Sequence, residues 1–82
     1  MKVFYGSKFL RSFAKLPKDI QAEFRSREQI FRENPFDPRL KTHKLKGRGE
    51  WAFLVTYTIR VIFIWKTDVV LLVSIGDHSI YG

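Results

Sequence analysis

The apolar side chains change their spacing at Trp51, and this change divides the chain into a helical part and a strand-forming part. Before residue 34 they recur at the spacing of one helix face, as Ile20, Phe24 and Phe31 do. From Trp51 onward apolar side chains occupy alternate positions, which is the pattern of a half-buried β-strand. The first part of the chain is therefore predicted to pack as helices on a sheet built from the second part.

Prolines and turn residues set the expected bounds of the elements. A β-prone segment at the N-terminus precedes a short helix, and Pro17 separates this helix from a longer one. Pro35 and Pro38 end the helical part. Three strands joined by two tight turns are expected at 51–57, 60–66 and 69–75, the last of them covered on both faces. The predicted class is α+β, with element order β-α-α-β-β-β and a helical hairpin packed on an antiparallel sheet.

The composition fits one small folded domain over residues 1–82. Hydrophobic residues make up 45% of the chain and aromatic residues 16%, which is enough for a core at this length. The chain has no cysteine and only two histidines, so no metal and no cofactor are expected. Neither a signal-peptide core nor an apolar run of membrane-spanning length is present, which predicts a cytoplasmic protein with no membrane partner.

The basic residues are concentrated in one segment. The chain has 15 Lys and Arg against 8 Asp and Glu, for a net charge of +7. Five of these bases, and no acid, lie in residues 39–48. A positive field of this kind attracts polyanions, of which nucleic acid is the usual one, although a charged run can also serve only as a solubilising loop. The expected RNA-binding side chains are Lys41, Lys44, Lys46 and Arg48.

Arg60 and His78 are expected to meet at one edge of the sheet. Arg60 opens the middle strand of the three, and His78 follows the last strand, which runs antiparallel to the middle one. Tyr81 is expected at the same edge, and His43 lies within the basic segment. Asp77 either orients the ring of His78 or caps the turn. Each of these side chains also has an ordinary structural explanation, such as a solvated histidine or a strand-end arginine.

These residue types suit the cleavage of RNA without a metal. That reaction needs a base for the proton of the 2′-hydroxyl, cations for the charge on phosphorus, and an acid for the leaving 5′-oxygen. Histidine has a pKa near the working pH, and the arginine fork matches two phosphate oxygens. Tyrosine can stack on a base or hydrogen-bond a phosphate.

Several segments of the chain resemble the RelE/ParE toxin superfamily. They are KLPKDIQ at 15–21, HKLKG at 43–47, IRVIF at 59–63 and LLVSIGDH at 71–78, followed by Tyr81. The similarity covers nearly the whole chain and agrees with the element order expected from the residue pattern. The H-x-L-x-G and G-x-H-x-x-Y pieces are most similar to the YafQ and YoeB branches of the superfamily.

This resemblance implies the toxin of a type II toxin–antitoxin pair, a ribosome-dependent endoribonuclease that cuts messenger RNA by attack of the 2′-oxygen. The implied partners are a cognate antitoxin, messenger RNA and the A site of the 70S ribosome. By the same resemblance Arg60 holds the phosphate, His78 acts as general acid or base, and Tyr81 orients the RNA. His43 matches a histidine of the YafQ branch and is therefore counted with Arg60, His78 and Tyr81 among the expected catalytic residues. Ala52 and Leu54 stand at about the places of two RelE lysines, so the general base is not assigned.

Two other functions remain open at this point. The first is a non-catalytic toxin of the ParE kind, which inhibits DNA gyrase by binding it; the missing second-strand lysines favour it. The second is a basic RNA-binding module without activity. The edge formed by Arg60, His78 and Tyr81 favours the nuclease, because a gyrase-binding toxin does not need it.

Overall fold

Two helices cover one face of a sheet in the computed structural model, which describes residues 1–81 apart from the side chain of Tyr81. The strands are β1 (Lys2–Tyr5), β2 (His43–Lys44), β3 (Trp51–Leu54), β4 (Arg60–Lys66) and β5 (Val69–Gly76). The helices are α1 (Ser7–Ala14) and α2 (Lys18–Glu33), and short 3-10 turns form at Pro38–Leu40 and at His78–Tyr81.

The strand order in the sheet is β1-β5-β4-β3-β2. The α+β class and the helical hairpin are confirmed, and β3, β4 and β5 form the expected antiparallel meander. The sheet as a whole is mixed, because β1 pairs parallel to β5, with Lys2 opposite Val69. A short additional strand, β2, pairs with the start of β3. These two edge strands are four and two residues long, too short for periodicity to predict their partners.

The predicted strand 51–57 is too long, because β3 ends at Leu54. A turn follows it: the backbone N–H of Val55 donates to the carbonyl of Ile59 at 2.8 Å. The hydroxyl oxygen of Thr56 accepts from the backbone N–H of Ile59 at 3.0 Å, which closes the turn from inside. These bonds replace the strand ladder, so the alternating pattern continues in the sequence after the strand has ended.

The prediction that β5 is covered on both faces is wrong for its first half. Val69 and Leu71 are 39% and 37% exposed. Both lie on the side of the sheet that the buried core does not occupy, since their neighbours Val70 and Leu72 belong to that core. The side away from the helices is called the outer face below, and the helix-covered side the inner face; Val69 and Leu71 are exposed on the outer face, whereas Ala52 and Ile62 are buried there.

Aromatic rings fill the space between α2 and the inner face. The ring of Phe31 lies 4.8 Å from that of Phe53 on β3 and 5.1 Å from that of Phe63 on β4, between ring centroids. All three side chains are at most 1% exposed. Burial of each ring contributes about 2–3 kcal/mol by the area it removes from water. This cluster fixes the strands on which the polar outer-face residues lie.

A buried amide joins the two helices of the hairpin, in addition to the contacts of the Phe24 ring with Phe9 and Phe13. The side-chain nitrogen of Gln21 on α2 donates to the carbonyl oxygens of Phe13 and Leu16, both at 3.1 Å. Carbonyls at the end of a helix have no partner within it, so Gln21 satisfies the end of α1 while it joins the two helices. In the described residues, no helix combines the length and the apolar character needed to cross a membrane.

Candidate functional site

Arg60 and His78 meet at one end of the outer face. Strand pairing places Arg60 directly opposite Gly76, two residues before His78. A guanidinium nitrogen of Arg60 lies 3.4 Å from Nδ1 of His78. Both side chains line a shallow concavity together with Tyr57, Thr58, Asp77 and Ser79. The meander therefore brings together two of the predicted site residues that lie eighteen positions apart in the sequence.

The contact between Arg60 and His78 has a defined hydrogen-bond direction. An arginine side chain can only donate, so Nδ1 of His78 is the acceptor in this contact. The pair thus places a fixed positive charge beside an imidazole, two kinds of group that can stabilise charge on a phosphate and transfer a proton.

Asp77 supports the turn that carries His78. Its carboxylate accepts hydrogen bonds from the backbone N–H of Ser79 at 3.0 Å and from the hydroxyl of Ser79 at 2.6 Å. The Ser79 hydroxyl, and next its backbone N–H, lower the pKa of Asp77 below its usual range. Of the two roles considered for Asp77, the structure thus shows the turn cap.

Gly76 allows this turn to lie against β5. A Cβ atom at position 76 would sit 2.6 Å from Cγ2 of Ile80, closer than two carbon atoms approach. The absence of a side chain therefore lets the 3-10 turn at His78–Tyr81 fold back at the level of Arg60. The backbone of Tyr81 ends this turn, but its side chain lies outside the described part of the chain, and so does the predicted role of that ring.

His43 lies on the same face of the sheet as Arg60 but apart from it. His43 pairs with Ala52, which pairs with Ile62, so the three side chains share a face with Arg60. His43 is two strands and two residues away from Arg60, which corresponds to about 10 Å across the strands and about 7 Å along them. A ring nitrogen of exposed His43 bonds the carbonyl of Lys41 at 2.9 Å. The structure therefore does not bring His43 into the Arg60–His78 concavity.

The side chains of the basic segment, residues 39–48, do not form one continuous surface. Lys41 lines a second concavity together with Arg27, Arg39 and residues 54–57. Arg48 lies 2.7 Å from a carboxylate oxygen of Glu50, whereas Lys44 and Lys46 are exposed on and beside the edge strand β2. The predicted RNA-binding lysines thus point to more than one part of the surface, and only Lys41 lies near the turn that borders Arg60.

An ion pair anchors the start of the basic segment. The Asp37 carboxylate accepts two bonds from the Arg39 guanidinium, at 2.8 and 3.0 Å, and a third from the Arg39 backbone N–H at 2.9 Å. These bonds, the side-chain ones first, lower the pKa of Asp37 to about 2. Among the described residues, no three His, Asp or Glu side chains come close enough together to hold a metal ion.

Two side chains near the site were missed by sequence reasoning. The alternating pattern predicts Tyr57 at the end of a strand, yet its side chain is 91% exposed in the turn after β3. Arg27, which belongs to the polar face of α2, donates to the carbonyl of Arg39 at 3.0 Å and so joins the second concavity. The signal for Tyr57 would have been Thr56, whose hydroxyl can start a local turn; Arg27 has no such local signal.

Comparison with solved structures gives several matches to toxins. YafQ from Escherichia coli superposes with a TM-score of 0.81 at 14% identity, over 98% of this chain and 96% of that one. A YoeB/ParE toxin from Agrobacterium tumefaciens gives 0.78 at 15% identity, over 95% and 99%. The archaeal RelE–RelB complex from Pyrococcus horikoshii gives 0.74 at 21% identity, over 93% and 92%.

Sequence comparison gives no further guidance. No protein-family model matches this chain, and no curated protein matches it. At 14–21% identity the structural matches establish a common fold. They cover more than nine-tenths of each partner, so the likeness extends over whole domains.

Proposed function

We propose that this chain, whose fold is that of the RelE/ParE superfamily, is the toxin of a type II toxin–antitoxin pair and cuts messenger RNA on the ribosome. The observation that carries this proposal is the contact of Arg60 with His78, at 3.4 Å, in a concavity at one end of the sheet. A net charge of +7 adds the long-range attraction that a small RNA-binding protein needs.

The proposed reaction is an internal transesterification of RNA. The 2′-oxygen forms a bond to phosphorus while the bond from phosphorus to the 5′-oxygen breaks, leaving a 2′,3′-cyclic phosphate and a 5′-hydroxyl. Arg60 holds the charge that grows on the phosphate oxygens. His78 transfers one of the two protons, and Tyr81 orients the RNA. The side chains of β3, Trp51–Leu54, are all apolar, so β3 does not supply the second proton-transfer group.

The proposed partners follow from the fold and the charge. One of the solved structures is a complex of RelE with RelB, and we propose that a cognate antitoxin binds this chain likewise. The other partners are messenger RNA and the A site of the 70S ribosome, reached in the cytoplasm. Five further side chains contribute to the contact with RNA: His43, Lys41, Lys44, Lys46 and Arg48. Of these, Lys41 lies nearest to the reacting groups.

Induced expression followed by primer extension on total RNA tests this function. Cuts within translated codons are expected from the wild type and not from the Arg60→Ala or His78→Ala variants. Lys66→Ala is the matched control for Arg60→Ala, since it removes a cation from the other end of the same strand. Equal cutting by all four proteins would refute the assignment of the site.

The apolar side chains of β3 favour one other function, the inhibition of DNA gyrase by direct binding. A toxin of this kind needs neither Arg60 nor His78. Growth arrest with intact messages, together with loss of gyrase supercoiling in the presence of the purified protein, would support that function. A protein that binds RNA but leaves messages and gyrase intact would be an RNA-binding module without activity.

A further inference from the structure

Tyr57 lies between the two concavities at this end of the molecule. Its side chain lines the concavity of Arg60 and His78, and it also lines that of Arg27, Arg39 and Lys41. The ring is 91% exposed, far more than any other large apolar side chain of the described residues. An aromatic ring therefore stands in solvent between the concavity of Arg60 and His78 and the hollow lined by Arg27, Arg39 and Lys41.

The fold does not need this ring. The turn that carries it is closed by backbone bonds from Val55 and Thr56 to the carbonyl of Ile59, at 2.8 and 3.1 Å. The Thr56 hydroxyl adds bonds to the backbone N–H groups of Thr58 and Ile59. Val55 is fully buried and Ile59 packs on the core. The turn is thus anchored on both sides of Tyr57, which fixes where the ring emerges without using the ring for packing.

Cations on both sides of the ring suit a single-stranded polyanion. Proteins that bind single strands combine a positively charged groove, which follows the backbone, with aromatic rings on which bases stack. Arg27 is held in place by its bond to the Arg39 carbonyl at 3.0 Å, and Lys41 is exposed beside it. A strand whose phosphate contacts Arg60 can therefore pass over Tyr57 and continue into the hollow that Lys41 lines.

We infer that Tyr57 is a stacking platform for a nucleobase of single-stranded RNA next to the Arg60–His78 site. The RNA continues from this ring into the hollow formed by Arg27, Arg39 and Lys41. This inference rests on the proposed function, which assigns the Arg60–His78 site to the cleavage of RNA. It adds a positioning residue and a path for the RNA that flanks the cut. A tyrosine at a turn without a role would be equally exposed, but nothing would then make RNA binding depend on its ring.

Binding of a fluorescein-labelled, 2′-O-methyl RNA oligonucleotide, measured by fluorescence anisotropy, tests the inference. The methyl groups block cutting, so the experiment reports binding alone. Tyr57→Ala is expected to weaken binding about tenfold, because stacking of a base on an aromatic ring contributes about 1–3 kcal/mol. Tyr57→Phe and Tyr57→Trp keep a ring and are expected to bind within about twofold of wild type. Leu10→Ala removes an exposed apolar side chain from α1 and serves as the control.

The dependence of RNA affinity on salt concentration distinguishes the contribution of the Tyr57 ring from that of the cations. Lys41→Ala is expected to lower the slope of log affinity against log salt by about 0.7, the value for one phosphate contact on a single strand. Tyr57→Ala is expected to leave that slope unchanged, because the ring carries no charge. A 2-aminopurine base in the oligonucleotide is expected to lose fluorescence on wild type through stacking, and to keep it on Tyr57→Ala.

The outcomes distinguish this inference from the proposed function. Binding by Tyr57→Ala equal to that of wild type would overturn the stacking role, and so would an equal loss in Tyr57→Phe. Failure of the wild type to bind the oligonucleotide would overturn it as well. Ribosomal cutting that depends on His78 but not on Tyr57 would leave the function in place. Tyr57-dependent binding without any cutting would refute the function and retain the stacking role.

Discussion

The two faces of the sheet use similar backbone geometry for different purposes. On the inner face the rings of Phe31, Phe53 and Phe63 lie within about 6 Å of one another and are almost completely buried. On the outer face the same strand β4 presents Arg60, which contacts His78 on a turn rather than on a strand. The difference indicates that inner-face substitutions should change stability and that substitutions at this end of the outer face should change activity.

The largest expected effect is on the inner face. Phe31→Ala should lower the free energy of unfolding by about 3–5 kcal/mol, the usual cost of removing a buried phenylalanine. Urea denaturation followed by circular dichroism measures it. Phe36→Ala is the matched control, because Phe36 is 55% exposed, and its loss should be clearly smaller. Similar losses from both variants would contradict the assignment of Phe31 to the centre of the core.

The second effect is on the outer face and concerns activity. His78→Ala should slow the cutting of messenger RNA at least about 100-fold, since general acid–base groups contribute typically 10²–10⁴-fold. The free energy of unfolding should change by less than about 1 kcal/mol, as is common for exposed positions. Cutting rates and unfolding curves of the same protein sample test both parts. A loss of stability as large as that of Phe31→Ala would remove the contrast between the faces.

Gly76→Ala should have an intermediate effect, because it acts on the turn that positions His78. The added Cβ would approach Cγ2 of Ile80 to 2.6 Å, so the turn must shift and the cutting rate should fall about tenfold, equivalent to about 1.4 kcal/mol. The double variant Gly76→Ala/Ile80→Ala removes the collision and should recover part of the rate. Equal rates for the single and double variants would show that the turn is not held by this contact.

The smallest effect concerns the Asp37–Arg39 pair. The pKa of Asp37 is about 2 in the folded chain, against about 3.9 for an unperturbed aspartate. The pair therefore contributes stability above about pH 4, and this contribution is lost as the pH falls toward 2. Asp37→Asn should reduce the dependence of the unfolding midpoint on pH in that range. High salt should weaken the effect, since the pair is near the surface.

Local patterns in the sequence predicted the meeting of Arg60 and His78 but not the exposure of Tyr57. The first follows from two strands joined by a tight turn at 67–68, which brings the start of β4 to the end of β5; a bulge between Ile62 and Phe63 then shifts the pairing by one residue. Tyr57 continues the alternation of Trp51, Phe53 and Val55, which predicts an inward-facing ring. The Thr56 hydroxyl instead draws the backbone into a turn, and hydrogen-bond competition of this kind is not visible in apolar spacing.

Contacts between distant segments were also beyond the sequence pattern. The basic run at 39–48 reads as one surface, but the αL conformation of Lys41 and the pairing of His43 with Ala52 turn its residues in different directions. The parallel pairing of β1 with β5 joins residues 2 and 69, and four residues of β-prone sequence do not specify which edge they join. The partner of β1 is decided by the whole sheet, because packing of the inner face leaves one side of β5 free to pair with β1.

The pairing of β1 with β5 has a consequence for the order of folding. Joining Lys2 to Val69 closes a loop of most of the chain, whereas β4 and β5 are joined by the two-residue turn at 67–68. The entropy lost on closing a loop grows with its length, so the β4–β5 hairpin should form in the folding transition state and β1 should join afterwards. Substitutions in β1 should then accelerate unfolding and leave the folding rate almost unchanged. Strand β4, which begins with Arg60, and strand β5, which leads into the turn of His78, would be assembled while the N-terminal edge of the sheet is still open.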